Sequence, residues 1–492
     1  MHRRAPNQLS ELFRRRSIRI GTAVIALLAA AIPAAAASVP SAGAHSGSPQ
    51  PAKLKPDVVL HRGGTSYTKT FTSVGGEGLL NLTAWAPAVD WGRVNDEAAI
   101  ASAYVDGSYQ TDILVPGNSP VQRQFQLGTL AAGPHTLTLS FASDRSAPRA
   151  QQVDLAAISL PTVTATNPNF VALEHSPILW GRSLASYGGD LQNAWTDAPL
   201  VAWHYSTPDV NGNTDLEYQI VWSNEDGGTD TEPPAEQARW GRMTDIEWIY
   251  RVQVDAAGNT VPGTETFQAP SHVTSTFNGA HEADHPVLQT CTDNNNVCDQ
   301  LSDAKMRFFL STLPSMNPVT QAREQIMEMN PWTYAVMGKE MIREHHTEAK
   351  ADPATAELSD ARDYLYIVIG KTTNSANDVT PWVGTSIGVK LRGDPTLYRS
   401  DHNVPNWSLQ RDGEDATDVE LPAGTTTSDI KAIVAIRFST SDRADPGSIV
   451  TVTNIRRAYL LDKNYVPVQP YITWTGRVTL TQSTPTATLW QR

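Results

Sequence analysis

Cysteine is nearly absent: the 492-residue chain has two, Cys291 and Cys298, and their pairing leaves no thiol as a nucleophile. There is no G-x-S-x-G, no S-x-x-K and no phosphate-binding loop, so the common serine-hydrolase and nucleotide signatures are missing. After residue 32 no apolar run reaches the roughly 20 residues that a membrane-spanning helix requires. Basic side chains are short as well. Setting aside the six arginines and one acid of residues 1–44 leaves 32 basic against 50 acidic groups, a net charge of −18. That balance argues against nucleic acid or anionic membrane as a partner.

The amino terminus supplies arginines (Arg3, Arg4, Arg14, Arg15, Arg16, Arg19), then the apolar run Ile20 to Ile32, then small residues with A-x-A cleavage sites after Ala37 or Ala44. This is the pattern of an export signal over residues 1–44, and the expected protein is secreted. Arg15-Arg16 admits the twin-arginine route, but Arg19 stands where that signal wants an apolar residue, which favours Sec export. In an oxidising compartment Cys291 and Cys298 are expected to form a disulfide that staples a short loop. Residues 45–56 read as a disordered lead-in.

From Val58 onward short alternating segments are separated by turn residues, as half-buried strands of a two-sheet sandwich require. Tyr104-Val-Asp-Gly107, Leu130-Ala-Ala-Gly-Pro-His-Thr-Leu-Thr-Leu139 and Val153 to Leu160 together resemble the jelly-roll carbohydrate-binding modules of secreted glycosidases. The resemblance covers residues 57–160 and implies sugar binding through exposed aromatics, with Trp85 and Trp91 as candidates; the alternative is that both are core. A linker follows at 161–169. Residues 170–492 read as a larger β-rich α+β domain, with a helical insertion over 301–350 in the segments 303–310, 319–329 and 334–350. The expected fold is thus mainly β and multidomain.

Candidate chemistry concentrates between residues 222 and 299. Asp245 and Glu247 stand at i and i+2 of an expected strand, so both carboxylates face one side, as a glycosidase pair requires. Arg239 and Arg242 are expected to bind substrate and, with Arg251, to keep one carboxylate ionised. His281-Glu-Ala-Asp-His285 offers His281, Asp284 and His285 for a divalent metal, calcium or zinc, or His285 for proton transfer. It is not the helical H-E-x-x-H, because the second histidine comes one residue early and Pro286 follows. Asn224 to Asp230 reads as a glycine turn or a calcium loop. Six of thirteen tryptophans fall between residues 180 and 248, and Trp195 and Trp240 are placed to line a groove. Together these imply degradation of an extracellular polysaccharide by hydrolysis, with a lyase as a variant. The alternative from another class is a non-catalytic glycan- or surface-binding protein with a metal-stabilised loop.

Overall fold

Alternation from Val58 onward becomes six strands in a computed structural model, which describes residues 54–181, 195–224, 233–302, 305–374, 383–404, 406–409, 411–439 and 445–492. They are β1 (Val58–His61), β2 (Tyr67–Trp85), β3 (Ala99–Val105), β4 (Ser108–Val115), β5 (Val121–Phe141) and β6 (Gln152–Ser159). The export signal and most of the lead-in lie outside the described residues, as does the loop 225–232. β2 and β5 form one long antiparallel ribbon whose register slips between Glu77 and Leu79. Gly76 sits at this slip with φ 122°, where a Cβ would stand 2.3 Å from the Val163 carbonyl oxygen. Only glycine fits there. On one side of the slip β6 and β1 extend the ribbon, and on the other β3 and β4 do. One hydrogen-bonded sheet therefore doubles over into two layers, which share a core of Leu80, Leu82, Leu137, Leu139, Val153 and Leu155. This is the expected N-terminal sandwich.

The second region starts with α1 (Phe170–Glu174) and β7 (Ile178–Trp180). β8 (Pro199–Pro208), β9 (Thr214–Trp222), α2 (Pro233–Trp240), β10 (Ile246–Val254), β11 (Thr266–Ala269) and β12 (Val273–Thr276) follow. The strands β8 to β12 form an antiparallel sheet in chain order. β13 (His285–Thr290) pairs in parallel with β7, and β14 (Arg307–Phe308) pairs with β7 from the other side. The helix expected over 303–310 is not formed over its described part, 305–310. Phe308, Phe309 and Leu310 are buried instead, and the Gln126 N–H donates to the Phe309 carbonyl at 2.8 Å while Leu310 bridges Phe125. Burial between two sheets outweighs helical composition. The remaining helices are short, α3 (Gln325–Met329) and α4 (Trp332–Arg343).

The last third carries its own core, a division that the sequence reading left inside one 170–492 unit. Its strands are β15 (Tyr364–Asn374), β16 (Val383–Leu391), β17 (Leu397–Arg399), β18 (Gly413–Glu420), β19 (Ile430–Ser439), β20 (Ile449–Tyr459), β21 (Ile472–Leu480) and β22 (Thr486–Gln491). Two four-stranded sheets, β18-β15-β20-β21 and β17-β16-β19-β22, enclose Ile367, Ile369, Ile387, Ile433 and Val452. The other face of the first sheet packs Tyr364, Tyr366 and Tyr459 onto Met327, Tyr334 and Met337 of α3 and α4. Strands dominate and helices are few, as expected.

Candidate functional site

Asp245 immediately precedes β10 and Glu247 is its second residue, but a bulge changes their surroundings. Ile246, Glu247 and Trp248 pair with Val221, Ile220 and Gln219, and the next pair is Tyr250 with Tyr218. Ile249 is therefore an extra residue, and a one-residue insertion sends everything after it to the opposite face. Arg251 leaves the Asp245/Glu247 face for that of Trp248, where its guanidinium stands 3.7 Å from the indole ring centre and pairs with Glu217. Asp245 is buried and its Oδ2 accepts from Asn295 Nδ2 at 3.0 Å; the same nitrogen donates to the Asn224 carbonyl. Glu247 is 15 % exposed, with His272 Nδ1 3.9 Å away.

Asn295 reaches this position because the Cys291–Cys298 disulfide closes the loop that carries it. Replacing both cysteines by serine is expected to cost about 2 kcal/mol, the chain-entropy value for so short a loop. A denaturant titration of the two proteins under oxidising conditions measures the difference.

The tryptophans assigned to sugar in the sandwich are corrected by their burial. Trp85 and Trp91 are both buried, and the Trp91 Nε1–H donates to Glu340. Glu340 Oε1 also accepts from Asn224 Nδ2 at 2.9 Å and from Arg343 at 2.5 Å. Trp195 Nε1 donates to Glu97 at 3.0 Å, and Arg343 lies 3.7 Å from the same carboxylate. Trp91 and Trp195 thus bolt the sandwich and β8–β9 to α4. The buried indole faces of Trp85 and Trp91 are not platforms for a pyranose. Glu340 and Arg343 had the sequence signature of an ordinary helix end, and nothing in their spacing announces that Glu340 accepts from Trp91 or that Arg343 lies beside the Glu97 carboxylate bound by Trp195.

Arg239, Trp240 and Arg242 each have partners within the protein, and of the three Arg242 is buried. Arg239 pairs with Glu236 one turn earlier on α2. Arg242, 2 % exposed, donates to the Thr244 carbonyl and lies 3.5 Å from Glu324. Trp240 is flanked by Arg411 at 4.2 Å and Arg323 at 5.8 Å from its ring centre. Burial alone would raise the Glu324 carboxyl, but Arg411, Arg323 and Arg242 outweigh it and hold it down at about 2. An arginine spent on such a buried carboxylate is not free to hold a substrate.

The histidine hairpin does not gather its three expected ligands. His281 pairs with Pro286 and Glu282 with His285 across the turn at Ala283-Asp284, so the two imidazoles leave opposite faces. His281 Nε2 meets Glu265 at 2.8 Å, whereas His285 is buried with Nδ1 3.0 Å from the Ser176 carbonyl and Nε2 3.2 Å from Glu77. Among the described residues no three His, Cys, Asp or Glu side chains are grouped to hold a metal ion.

The sequence reading missed a cleft of about 840 Å³ between the sandwich, the 310–314 strap, the start of α4 and the 464–466 turn. The register of β2 with β5 places Asn81 opposite Gln124 and Thr83 opposite Gln122, so these four share a face. Ser311 Oγ donates to Gln124 Oε1 at 2.6 Å, Gln124 Nε2 to Asn81 Oδ1 at 2.7 Å, and Asn81 Nδ2 to Ser159 Oγ at 3.2 Å. This row fixes which end of each amide is the donor. Opposite it stands Trp332, half-buried, with Arg123 stacked 4.6 Å above its ring. Met329 and Val466, 49 % and 42 % exposed, form an apolar rim. Among the described residues no Asp or Glu lines the cleft. Alternation of neutral polar side chains in Asn81-Leu-Thr83 and in Gln122-Arg-Gln124 is the signal that could have pointed here.

No family model matches the sequence, and no curated protein does. Among solved structures the chain has slight likenesses. One is a family two carbohydrate esterase from Clostridium thermocellum in complex with cellohexaose: 17 % identity over 27 % of this chain and 35 % of that one, TM-score 0.16. Another joins the M60 catalytic domain of a Clostridium perfringens protein to two CBM51 domains: 10 % identity, 79 % and 32 % covered, TM-score 0.15. A third is the tandem CBM51 modules of a family 98 glycoside hydrolase from Streptococcus pneumoniae: 10 % identity, 78 % of each chain, TM-score 0.14. The chain spans about a third of the length of the first of these. TM-scores of this size define neither a shared fold nor a shared activity.

Proposed function

We propose that the chain is an exported glycan-binding protein whose ligand lies in the cleft against Trp332. The observation that carries this reading is the lining: an indole, a fixed row of amides and hydroxyls, and no carboxylate. An indole face packs on the C–H face of a pyranose, while amide N–H groups and hydroxyls bond its oxygens. A glycosidase needs two carboxyl groups flanking the scissile bond, and this cleft offers none. Export is supported by the Cys291–Cys298 disulfide, which suits an oxidising compartment. Among the described residues no helix is long and apolar enough to cross a membrane.

Calorimetric titration with plant, fungal and bacterial wall oligosaccharides tests the reading. Trp332→Ala is expected to weaken binding about tenfold or more, the loss of roughly 1.4 kcal/mol of aromatic contact. Trp248→Ala, which removes an indole outside the cleft, is expected to leave affinity unchanged. Equal affinity in all three proteins would place any glycan elsewhere.

Hydrolysis by Asp245 and Glu247 is a second reading, favoured by their nearness in the chain at the start of β10, with Asn295 on Asp245 and His272 3.9 Å from Glu247. Release of oligosaccharides from wall glycans, abolished by Glu247→Gln, is its expected sign. Absence of release from every substrate removes it.

A further inference from the structure

Cleft charge, more than cleft size, selects the ligand. We infer that the cleft takes an uncharged oligosaccharide and excludes glycans bearing uronate or sulfate, an inference that rests on the glycan-binding reading above. The cation that lines it is Arg123, and its guanidinium is already used. NH1 donates to the Leu114 carbonyl at 2.7 Å and NH2 to the Leu200 carbonyl at 3.0 Å. Its two faces are covered by Phe125, 5.1 Å from ring centre to guanidinium carbon, and by Trp332 at 4.6 Å. A buried arginine in this state holds backbone together and has no fork to offer a carboxylate.

The remaining polar groups are neutral and mostly donors toward the ligand. Gln124 and Asn81 each spend one amide hydrogen in the fixed row and keep a second. Gln122, exposed on the same face, has its amide available at the surface. Across the cleft the 462–466 turn is rigid: Asp462 Oδ1 accepts the Asn464 and Val466 N–H groups at 2.8 and 2.9 Å, and the buried Tyr465 anchors it beside Arg362. The turn presents Asn464 and Val466 as the far wall. Neutral hydroxyl and ring oxygens fit such donors without a counter-ion. Among the described residues a polyanion meets no free cation in the lining, and it approaches a chain whose net charge from residue 45 onward is −18.

The test uses the chain from residue 45 onward, oxidised. Uncharged xylo-, manno-, cello- and β-1,3-gluco-oligosaccharides are titrated beside oligogalacturonate and alginate oligomers, at about 20 mM and about 500 mM salt, where screening of an exposed charge differs strongly. At least one uncharged series is expected to bind, with affinity changing less than about twofold between the two salts, since no ion pair is made. Gln122→Ala, an exposed substitution that leaves the fold alone, and Asn464→Ala are each expected to weaken it severalfold. Preferential, salt-sensitive binding of the uronates overturns this inference and leaves the glycan reading standing. Binding of neither set, with the variants folded by circular dichroism, overturns both. Neutral binding untouched by Gln122→Ala, Asn464→Ala and Trp332→Ala overturns the assignment to the cleft.

Discussion

Glu324→Gln is expected to lower stability by about 3–5 kcal/mol at pH 7, the usual cost of stripping the charge from a buried ion network. Glu324 lies 3.1 Å from Arg411, 3.5 Å from Arg242 and 3.6 Å from Arg323, and its side chain is 5 % exposed. Arg411 retains Asp415 at 2.7 Å, but the three guanidiniums around residue 324 would then repel one another with their shared counter-charge gone. The sign with pH is fixed by the low carboxyl value. A carboxylate held at about 2 contributes stability above its ordinary value near 4.5, and that contribution is lost as pH falls toward 2. The gap between wild type and variant in urea midpoint is therefore expected to be wide at pH 7 and nearly closed at pH 2. Glu236→Gln is the control: its pair with Arg239 is a half-exposed i,i+3 contact, for which about 0.5 kcal/mol or less is expected. A gap that does not narrow with acid would mean that Glu324 acts through packing alone.

How much of this was legible in the sequence depends on the range over which each feature is built. Strands were legible because period two is written into neighbouring residues; β9, β10 and β19 lie where alternation put them. The disulfide was legible because two cysteines leave one pairing. The bulge at Ile249 was not, since Ile249 and Tyr250 are both apolar and either continues the alternation. A single extra residue then moved Arg251 away from the acids it was expected to serve. Trp91 and Trp195 were misread for a different reason: their partners Glu340 and Glu97 are 249 and 98 residues away. The cleft is the extreme case, with Asn81 on one wall and Asn464 on another. Aromatic content marked residues 180–248 as the place to look, yet two of those six indoles, Trp203 and Trp222, are core, and the cleft lies where four separate segments meet.

The same limits explain why the carboxylate pair with the strongest perturbation went unnoticed, and that pair gives the second large effect. Asp418 and Glu420 stand at i and i+2 of β18, opposite Tyr366 and Tyr364, and both are buried against α2 and the 348–359 loop. In sequence, Asp415-Ala-Thr-Asp-Val-Glu420 reads as a polar stretch. Burial, then Glu348, Asp363 and Asp352, push the Glu420 carboxyl up to about 7 against the hydrogen bond from Ser359 Oγ at 2.5 Å. Burial and then Glu420 raise Asp418 well above the ordinary range, with Gln237 as its donor. His402, 3.9 Å from Glu420, is itself lowered by burial and brings no compensating charge. An acid whose folded value lies above its unfolded one stabilises fully below about 4.5, and that stabilisation disappears as pH rises through about 7. Wild-type stability is therefore expected to fall between pH 5 and pH 8 by on the order of 2 kcal/mol from Glu420, discounted for partial screening. Glu420→Gln keeps an acceptor for Ser359 and cannot ionise, so its midpoint is expected to match wild type at pH 5 and exceed it at pH 8. Parallel curves for the two proteins would show that Glu420 is ionised throughout. Set against Glu324, whose contribution is lost in acid, this pair closes the alkaline side, so the chain is expected to be most stable in mildly acidic solution.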